Sequence, residues 1–525
     1  MAIASGKESS SLWRPLSSST FRNLLIADIV SDIGTFMQSV GAAWLMVSLH
    51  SGPLYVALTQ TASALPFFVL ALPAGAIGDI VDRRKVILFT EVWMLFVAFV
   101  LTMMTFAGMM SPVLLLILTF ALSAGDAFET PTWRAVLPEL VPKKDLPAAS
   151  ALNGIEFNFA RAVGPALAGL IIAFIGVGAA FLINTLSFFA VILVVARWKR
   201  PVPKRTTPPE TVTGATVAAI RYVRYSPAVR AVMLRAGAAM FFASGLLALL
   251  PAIAHRINGS PIGYGVLLGC FGFGAVLGAL VMQRARARWS ADVVVSAGIA
   301  IFGLMTIATG AVHALLPLSA IMLVGGGAWI SFISLFNVQV LNQAPDWVRA
   351  RVLAISMLVF QGAVAAGSAT WGAVAARADV SQALLWAGIG AIATTVLGLF
   401  LPLPDTSVDL TPWNHWRMPR VVDADVDAGG PVLVTVEYDV DPRRVSEFIK
   451  AMHEYGRVRR RDGASRWGIC RDLEIASRYL ETFVVSSWAE HLRQHDRLTR
   501  ADSQLEDRLR VCTLNEPKVR HLLYL

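Results

Sequence analysis

ALPAGAIGDIVDRRKVILFTEVWMLFVAFVLTMMTFAG, residues 71–108, contains the pattern that decides the fold. A helix end rich in small residues meets Asp79, then the run Asp82, Arg83, Arg84 and Lys85, then an apolar stretch in which only Glu91 is charged before Gly108. A bilayer core about 30 Å thick takes roughly 20 apolar residues as helix, so the stretch after Lys85 is long enough to cross it. The basic cluster ahead of it marks a turn at a membrane surface.

Working outward, the same unit recurs. Apolar stretches of spanning length lie at about 22–48, 54–80, 84–109, 112–133, 148–175, 178–197, 228–252, 262–283, 291–311, 314–338, 350–376 and 380–401. With 56% hydrophobic residues and a mean hydropathy of +0.61, the 525-residue chain is too apolar for a soluble enzyme. A net charge of +10 would also fit a nucleic-acid binder, but the charge is not in one patch. Lys and Arg gather at Lys7–Arg22, Arg83–Lys85, Arg134–Lys144, Arg197–Arg230, Arg284–Arg288 and Arg349–Arg351, against Arg256 and Arg377 on the opposite side. Positive loops stay cytoplasmic, so both termini are expected in the cytosol of a bacterial-type cytoplasmic (inner) membrane, with the lipid bilayer as partner and no nucleic acid. Residues 1–20 are polar and Ser-rich with no short apolar stretch ahead of a small-residue cleavage site, so the first span is expected to be retained. Cys270, Cys470 and Cys512 have no metal-ligand spacing and read as plain thiols.

The expected organisation is a cytoplasmic segment 1–20, six helices over 21–196, a basic Pro-rich linker 197–226, six more helices over 227–402, a second linker 403–430 and a soluble domain 431–525. An offset of 203 residues superposes Gly34 on Gly237, Gly75 on Gly278, Arg83 on Arg286 and Gly169 on Gly372, as two parallel six-helix repeats would. Such repeats place a substrate site at their interface near the midplane. The tail is dense in charge. Val432–Val440 alternates like a strand, a helix follows to about Arg461, then strands at 465–473 and 478–486, a helix from Trp488 to about Arg510 and a last strand 519–525. The order βαββαβ predicts an α+β ferredoxin-like sandwich beside the all-α polytopic membrane region.

The loop Gly75-Ala-Ile-Gly-Asp79-Ile-Val-Asp82-Arg83-Arg84-Lys85 resembles the signature between helices two and three of the major facilitator superfamily, departing from it at Ile80 and Asp82. In that family the loop latches the two halves, which implies a conformational latch of Gly75, Asp79, Arg83 and Arg84. Leu137-Pro-Glu-Leu-Val-Pro142, Ala151-Leu-Asn153 and Arg161-Ala-Val-Gly164-Pro165 look like the branch containing the enterobactin exporter and the transmembrane secretion effectors. Gly164, Pro165 and Gly169 would thin and bend helix five where two halves rock. Ala121 stands where many drug:proton antiporters of the superfamily have an arginine. Leu410-Thr-Pro-Trp413 with Trp416, and the tail motifs Arg460–Ala464, Arg466-Trp-Gly468 and Ser487–His491, resemble family members that end in a domain related to antibiotic-biosynthesis monooxygenases of the dimeric α+β barrel type. That likeness implies a homodimer through the C-terminal domain; no catalytic residue is carried over. His491 and His495 share a helix face by their spacing, but HExxH and a third ligand are missing, so no metal and no cofactor are expected.

Ionisable residues inside spans are costly unless paired or wetted, and mark functional sites. Asp28 and Asp32 share one face of helix one, Asp126, Glu129 and Glu156 lie in helices four and five, and Arg235 in helix seven. At about 1.5 Å per residue, Asp32 lies about 16 Å into the membrane and Arg161 about 20 Å, so the two are expected to meet near mid-depth. Asp28, Asp32, Asp126, Glu156, Arg161 and Arg235 are therefore the proton-coupling and cavity candidates. Glu91 is expected to snorkel or to pack on a loop, and Phe36, Met37, Trp44, Phe157, Phe241, Trp329 and Phe332 to line an apolar cavity. With no GxxxxGK[ST] loop, ATP drive is not indicated. The expected function is secondary active export of a small lipophilic compound (siderophore, antibiotic or other metabolite) driven by protons through alternating access. The alternatives are lysophospholipid transport, or an exporter fused to an oxygenase-like or ligand-binding domain.

Overall fold

The computed structural model describes residues 12–198, 212–404, 408–413 and 430–524. Six helices long and apolar enough to cross a membrane come first: α1 (Ser19–Ser48), α2 (Gly52–Ile80), α3 (Arg83–Phe106), α4 (Pro112–Leu140), α5 (Leu146–Phe174) and α6 (Val177–Arg197). A short helix α7 (Val212–Tyr225) precedes α8 (Pro227–Asn258), α9 (Pro261–Arg286), α10 (Ala291–Ala311), α11 (Leu315–Asn342) and α12 (Asp346–Arg377). The last span is broken into α13 (Val380–Thr394) and α14 (Leu397–Phe400). Among the described residues twelve candidate spans result, as the hydropathy pattern predicts.

Local chemistry sets where these helices start. The first amides of a helix lack intrahelical partners, and a side-chain oxygen just ahead of the apolar run supplies one. Asp82 accepts from Arg84 and Lys85, Ser111 from Leu114, Ser290 from Val293 and Asp379 from Gln382. Between α5 and α6 the chain reverses through Gly176 at φ +113°, a conformation that a side chain disfavours.

The backbone divides into two compact units: 1–206 with 235–335 and 357–400, and 207–234 with 336–356 and 401–525. The first unit is helical. Phe89, Phe96, Phe174 and Leu280 are exposed on its helices, an apolar surface that lipid would cover and water would not tolerate.

The second unit holds a four-stranded antiparallel sheet in the order β2-β3-β1-β4, from β1 (Val432–Asp439), β2 (Ser465–Arg471), β3 (Arg478–Val485) and β4 (Lys518–Leu523). With α15 (Val445–Asp462), α16 (Trp488–Arg497) and α17 (Arg500–Val511) this is the expected ferredoxin-like α+β sandwich. Val432, Val434, Val436 and Tyr438 alternate inward against Phe448, Met452, Tyr455 and Phe483. One expectation is corrected: the helix predicted from Trp488 to Arg510 is two. Thr499 and Asp502 form a capping box that starts α17, and the preceding Leu498 is extended. The Leu-Thr-Pro-Trp segment lies along this break as a strap. Trp413 donates its amide to Leu498 O (3.0 Å), and Arg500 and Ala501 donate to Thr411 O and Asp409 O (3.0 and 3.1 Å).

The same unit contains α7 and the α11–α12 turn. Arg221 pairs with Glu490 at 3.1 Å, and Tyr222 donates to Gln343 O at 2.7 Å. The Arg497 guanidinium lies 4.7 Å from the Trp347 ring centroid.

Candidate functional site

Helix periodicity turns Asp28 and Asp32 of α1 toward α4 and α5. There they meet Asp126 and Glu129 of α4, Glu156 of α5 and Glu91 of α3, forming a cluster of carboxyl groups. Asp28 accepts from Trp133 Nε1 at 2.9 Å, Asp126 from Thr130 Oγ1 at 2.9 Å and Glu129 from Thr90 Oγ1 at 2.8 Å. Two contacts are carboxyl to carboxyl: Asp32 with Glu156, and Glu91 with Glu129. A carboxylate has no hydrogen to donate, so either pair can share a hydrogen bond only when one partner carries a proton. Arg134 is the cation beside Asp126.

Three expectations are corrected. Glu91 is 2% exposed and neither snorkels nor packs on a loop, because α3 is covered by α4 and α6 and presents Glu91 to Glu129. The Asp32–Arg161 pair does not form. On α5, five residues are about 140° round the helix, so Glu156 facing α1 turns Arg161 elsewhere. Among the described residues Arg161 makes no hydrogen bond or ion pair, and its backbone adjoins Gly272 of α9. The aromatic residues pack on one another more than they line a cavity. Trp329 and Phe332 cluster with Phe271 and Phe302, Trp44 stacks on Tyr264, and Phe36 meets Phe157 edge-on. Phe241 packs against Trp371, and Met37 is buried.

Arg235, 1% exposed, pairs with Asp292 and donates to Ser296 Oγ at 3.1 Å. In the loop after α2, Arg83 donates to Glu139 (2.7 Å) and to Ala135 O (2.6 Å) on α4, while Arg84 binds the carbonyl of Val195 at the end of α6. The side chains at Gly75 and Asp79 lie outside the described ones. Helix α5 runs unbroken through Pro165. Its glycines serve close approach: a Cβ on Gly164 would stand 2.6 Å from Phe36 Cβ, and one on Gly169 3.1 Å from Gly265 Cα on α9. A second seam joins α2 to α12, where Thr61 donates to Ala365 O at 3.2 Å.

In the soluble domain the structure adds a residue that the sequence did not connect. His521 of β4 brings Nε2 to 3.0 Å from Nε2 of His491, and His495 Nε2 lies 3.3 Å from the same atom. His491 Nδ1 lies 3.2 Å from Gln494 Oε1, an acceptor, which leaves Nε2 to accept. Burial, and then His521, push the His491 pKa down to about 4. Among the described residues no group of three or more His, Cys, Asp or Glu could hold a metal ion.

The family model described as transmembrane secretion effector matches residues 10–525. The staphyloferrin A transporter of Staphylococcus aureus is 26% identical over 31% of this chain, which spans 41% of that protein. The multidrug efflux pump Tap of Mycolicibacterium fortuitum is 23% identical over 72% of this chain and 95% of its own length. The enterobactin exporter EntS of Salmonella typhimurium is 26% identical over 50% and 62%. Among solved structures, an inward-facing bacterial homolog of the human lysosomal transporter Spinster superposes with a TM-score of 0.57 at 14% identity, covering 74% of this chain and 96% of that one. The nucleoside transporter NupG gives 0.60 at 12% identity, over 73% and 100%. These two share the fold.

Proposed function

Because the chain belongs to the transmembrane secretion effector family, we propose that it is a secondary active exporter of a small lipophilic compound, a siderophore, antibiotic or other metabolite, exchanged for protons by alternating access. The Lys and Arg asymmetry supports a cytoplasmic-membrane protein with both termini in the cytosol. Similarity to the staphyloferrin A and enterobactin transporters and to Tap supports the substrate class.

The observation that carries the coupling is the carboxyl pair of Asp32 on α1 and Glu156 on α5. With a proton between them the two groups tie α1 to α5. Without it two anions repel in a low-dielectric setting. Substrate binding and proton binding are then exclusive states of one region, with Glu91 and Glu129 as a second proton-holding pair. Arg161, on the α5–α9 seam between the halves, is the group that receives an anionic part of the substrate. The soluble domain joins two copies into a homodimer.

Reconstituted vesicles test this. Asp32→Asn should abolish uphill export driven by a pH gradient while leaving downhill substrate exchange, and Arg161→Ala should impair both. Wild-type pH dependence of uphill transport by well-folded Asp32→Asn would end the mechanism. Flipping of a fluorescent lysophospholipid with no solute efflux would favour lipid movement.

A further inference from the structure

A cavity of about 650 Å³ lies within the soluble domain, between the inner face of the sheet and α15–α17. That volume matches sites that enclose a small organic molecule. One side of its wall is apolar, with Val434, Val436 and Val519 from the sheet, Leu492 and Leu509 from the helices and Trp413 from the strap, while His495, Glu506 and Arg510 give it a polar side. At its inner end lies Arg459. The guanidinium sits 4.6 Å from the Tyr455 ring centroid and 4.8 Å from that of Phe483, and its Nε donates to Glu481 at 3.4 Å. Glu481 is fully buried and is also served by Trp467 Nε1 at 2.8 Å and the Tyr438 hydroxyl at 3.1 Å. Glu481 therefore stays satisfied without help from the rest of the guanidinium. The two Nη groups of Arg459 make no hydrogen bond among the described residues, and they line the cavity. Of the other charges there, Glu506 acts on Arg459 and is itself paired with Arg510 at 3.3 Å, and Asp496 and Glu516 are exposed at the rim.

A planar cation held by two rings, with one edge occupied and the other unpaired beside a chamber with an apolar wall, is built to receive a carboxylate or phenolate in bidentate fashion. We propose that this cavity is a binding site for an amphipathic organic anion, its charged group on Arg459 and its aromatic or alkyl body against Val436, Leu509 and Trp413. Trp413 belongs to the strap that follows the last membrane span, so an occupied site fixes that strap. The site is separate from the carboxyl cluster, and the inference stands whether or not the export reading does.

The test uses the full chain in lipid nanodiscs, without a pH gradient, and equilibrium dialysis with 2-naphthoate as probe. We expect saturable binding above that of empty nanodiscs, with the neutral 2-naphthylmethanol at least about tenfold weaker. Arg459→Gln should weaken naphthoate about tenfold or more and leave 2-naphthylmethanol unchanged. Because that variant could fold poorly, hydrogen exchange on the wild-type chain provides a second measurement: naphthoate should slow exchange at Leu509–Glu516 and Thr411–Trp413. Saturable binding with no slowing there, equal affinity for the charged and neutral probes, or no binding at millimolar naphthoate would each overturn the site.

Discussion

The two six-helix halves bury ionisable groups in opposite ways. Under the 203-residue offset, Asp126 and Glu129 of α4 correspond to Trp329 and Phe332 of α11, Glu156 to Val359 and Arg161 to Val364. Where the first half places carboxyl groups against each other, the second places an aromatic cluster. Asp32 corresponds to Arg235, which is paired and hydrogen-bonded within its own half. The lesson is that one packing scheme supports both, because backbone approach is set by small residues while the side chains between are free to diverge. Buried carboxyl groups are concentrated in the first half and aromatic packing in the second.

Exchanging roles at corresponding positions is the hardest test of that division. Glu156→Gln removes one acid of the Asp32 pair and should lower proton-driven export on the order of a hundredfold at normal protein yield. Val359→Ala, at the corresponding place, should change export by less than about twofold. Equal losses in a vesicle assay would mean that the halves are not specialised.

Arg235 should fail in the other way. Removing Arg235 strands Asp292, which at 29% exposure keeps part of its hydration, so the cost is below that of a fully buried pair, about 2 kcal/mol. Arg235→Met should lower the thermal midpoint and the yield of folded protein, and Arg235→Met with Asp292→Leu should recover most of the loss. A well-folded Arg235→Met that has lost proton coupling would instead place Arg235 in the transport chemistry.

What could be read from the sequence follows from which signals are local. Span positions, caps and the βαββαβ order depend on neighbours a few residues apart, and hydropathy with Ser and Asp caps reveals them. Rise along a helix puts Asp32 and Arg161 at matching depth, but rotation about the axis decides which side chains meet, and it puts Glu156 on Asp32. Glu91 was misjudged because nothing local says which face of α3 meets α4. His521 lies 30 residues beyond His491, and only the pairing of β4 with β1 brings it near. Two cues were present in the sequence: the Thr499–Asp502 capping box that divides α16 from α17, and the Leu-Thr-Pro-Trp segment whose place beside that break explains its composition.

The soluble domain buries an ionisable group in a third way, by keeping it neutral. His491 has its pKa depressed from 6.5 to about 4 by burial and by His521. A folded-state pKa below the unfolded one means that the folded domain binds fewer protons between these values. The associated stability is present above about pH 6.5 and is lost as pH falls toward 4, amounting to about 3 kcal/mol. Calorimetry of the full chain in nanodiscs should show the soluble domain's transition moving down over that interval. His491→Phe should flatten the dependence, and an unchanged slope in that variant would remove His491 as its source.

The smallest expected effect concerns the loop where the chain departs from its family's pattern. Asp82 stands where a glycine is usual, and its carboxylate accepts from the amides of Arg84 and Lys85 at 2.9 and 3.4 Å, opening α3. A cap of this kind is worth about 1 kcal/mol against alanine and only a few tenths against glycine, which solvates the same amides. Asp82→Ala should therefore cost about 1 kcal/mol, Asp82→Gly less, and neither should alter transport, because Arg83 keeps its bonds to Glu139 and Ala135 O. The test sharpens the comparison of halves, since Arg286 occupies the position in the second half that corresponds to Arg83. If Asp82→Gly halts transport at unchanged thermal stability, the acid acts in the conformational latch and the first half has specialised at its cytoplasmic loop as well as in its core. If it shifts stability by a few tenths of a kcal/mol and leaves transport intact, Asp82 is a helix cap and the specialisation is confined to the carboxyl cluster.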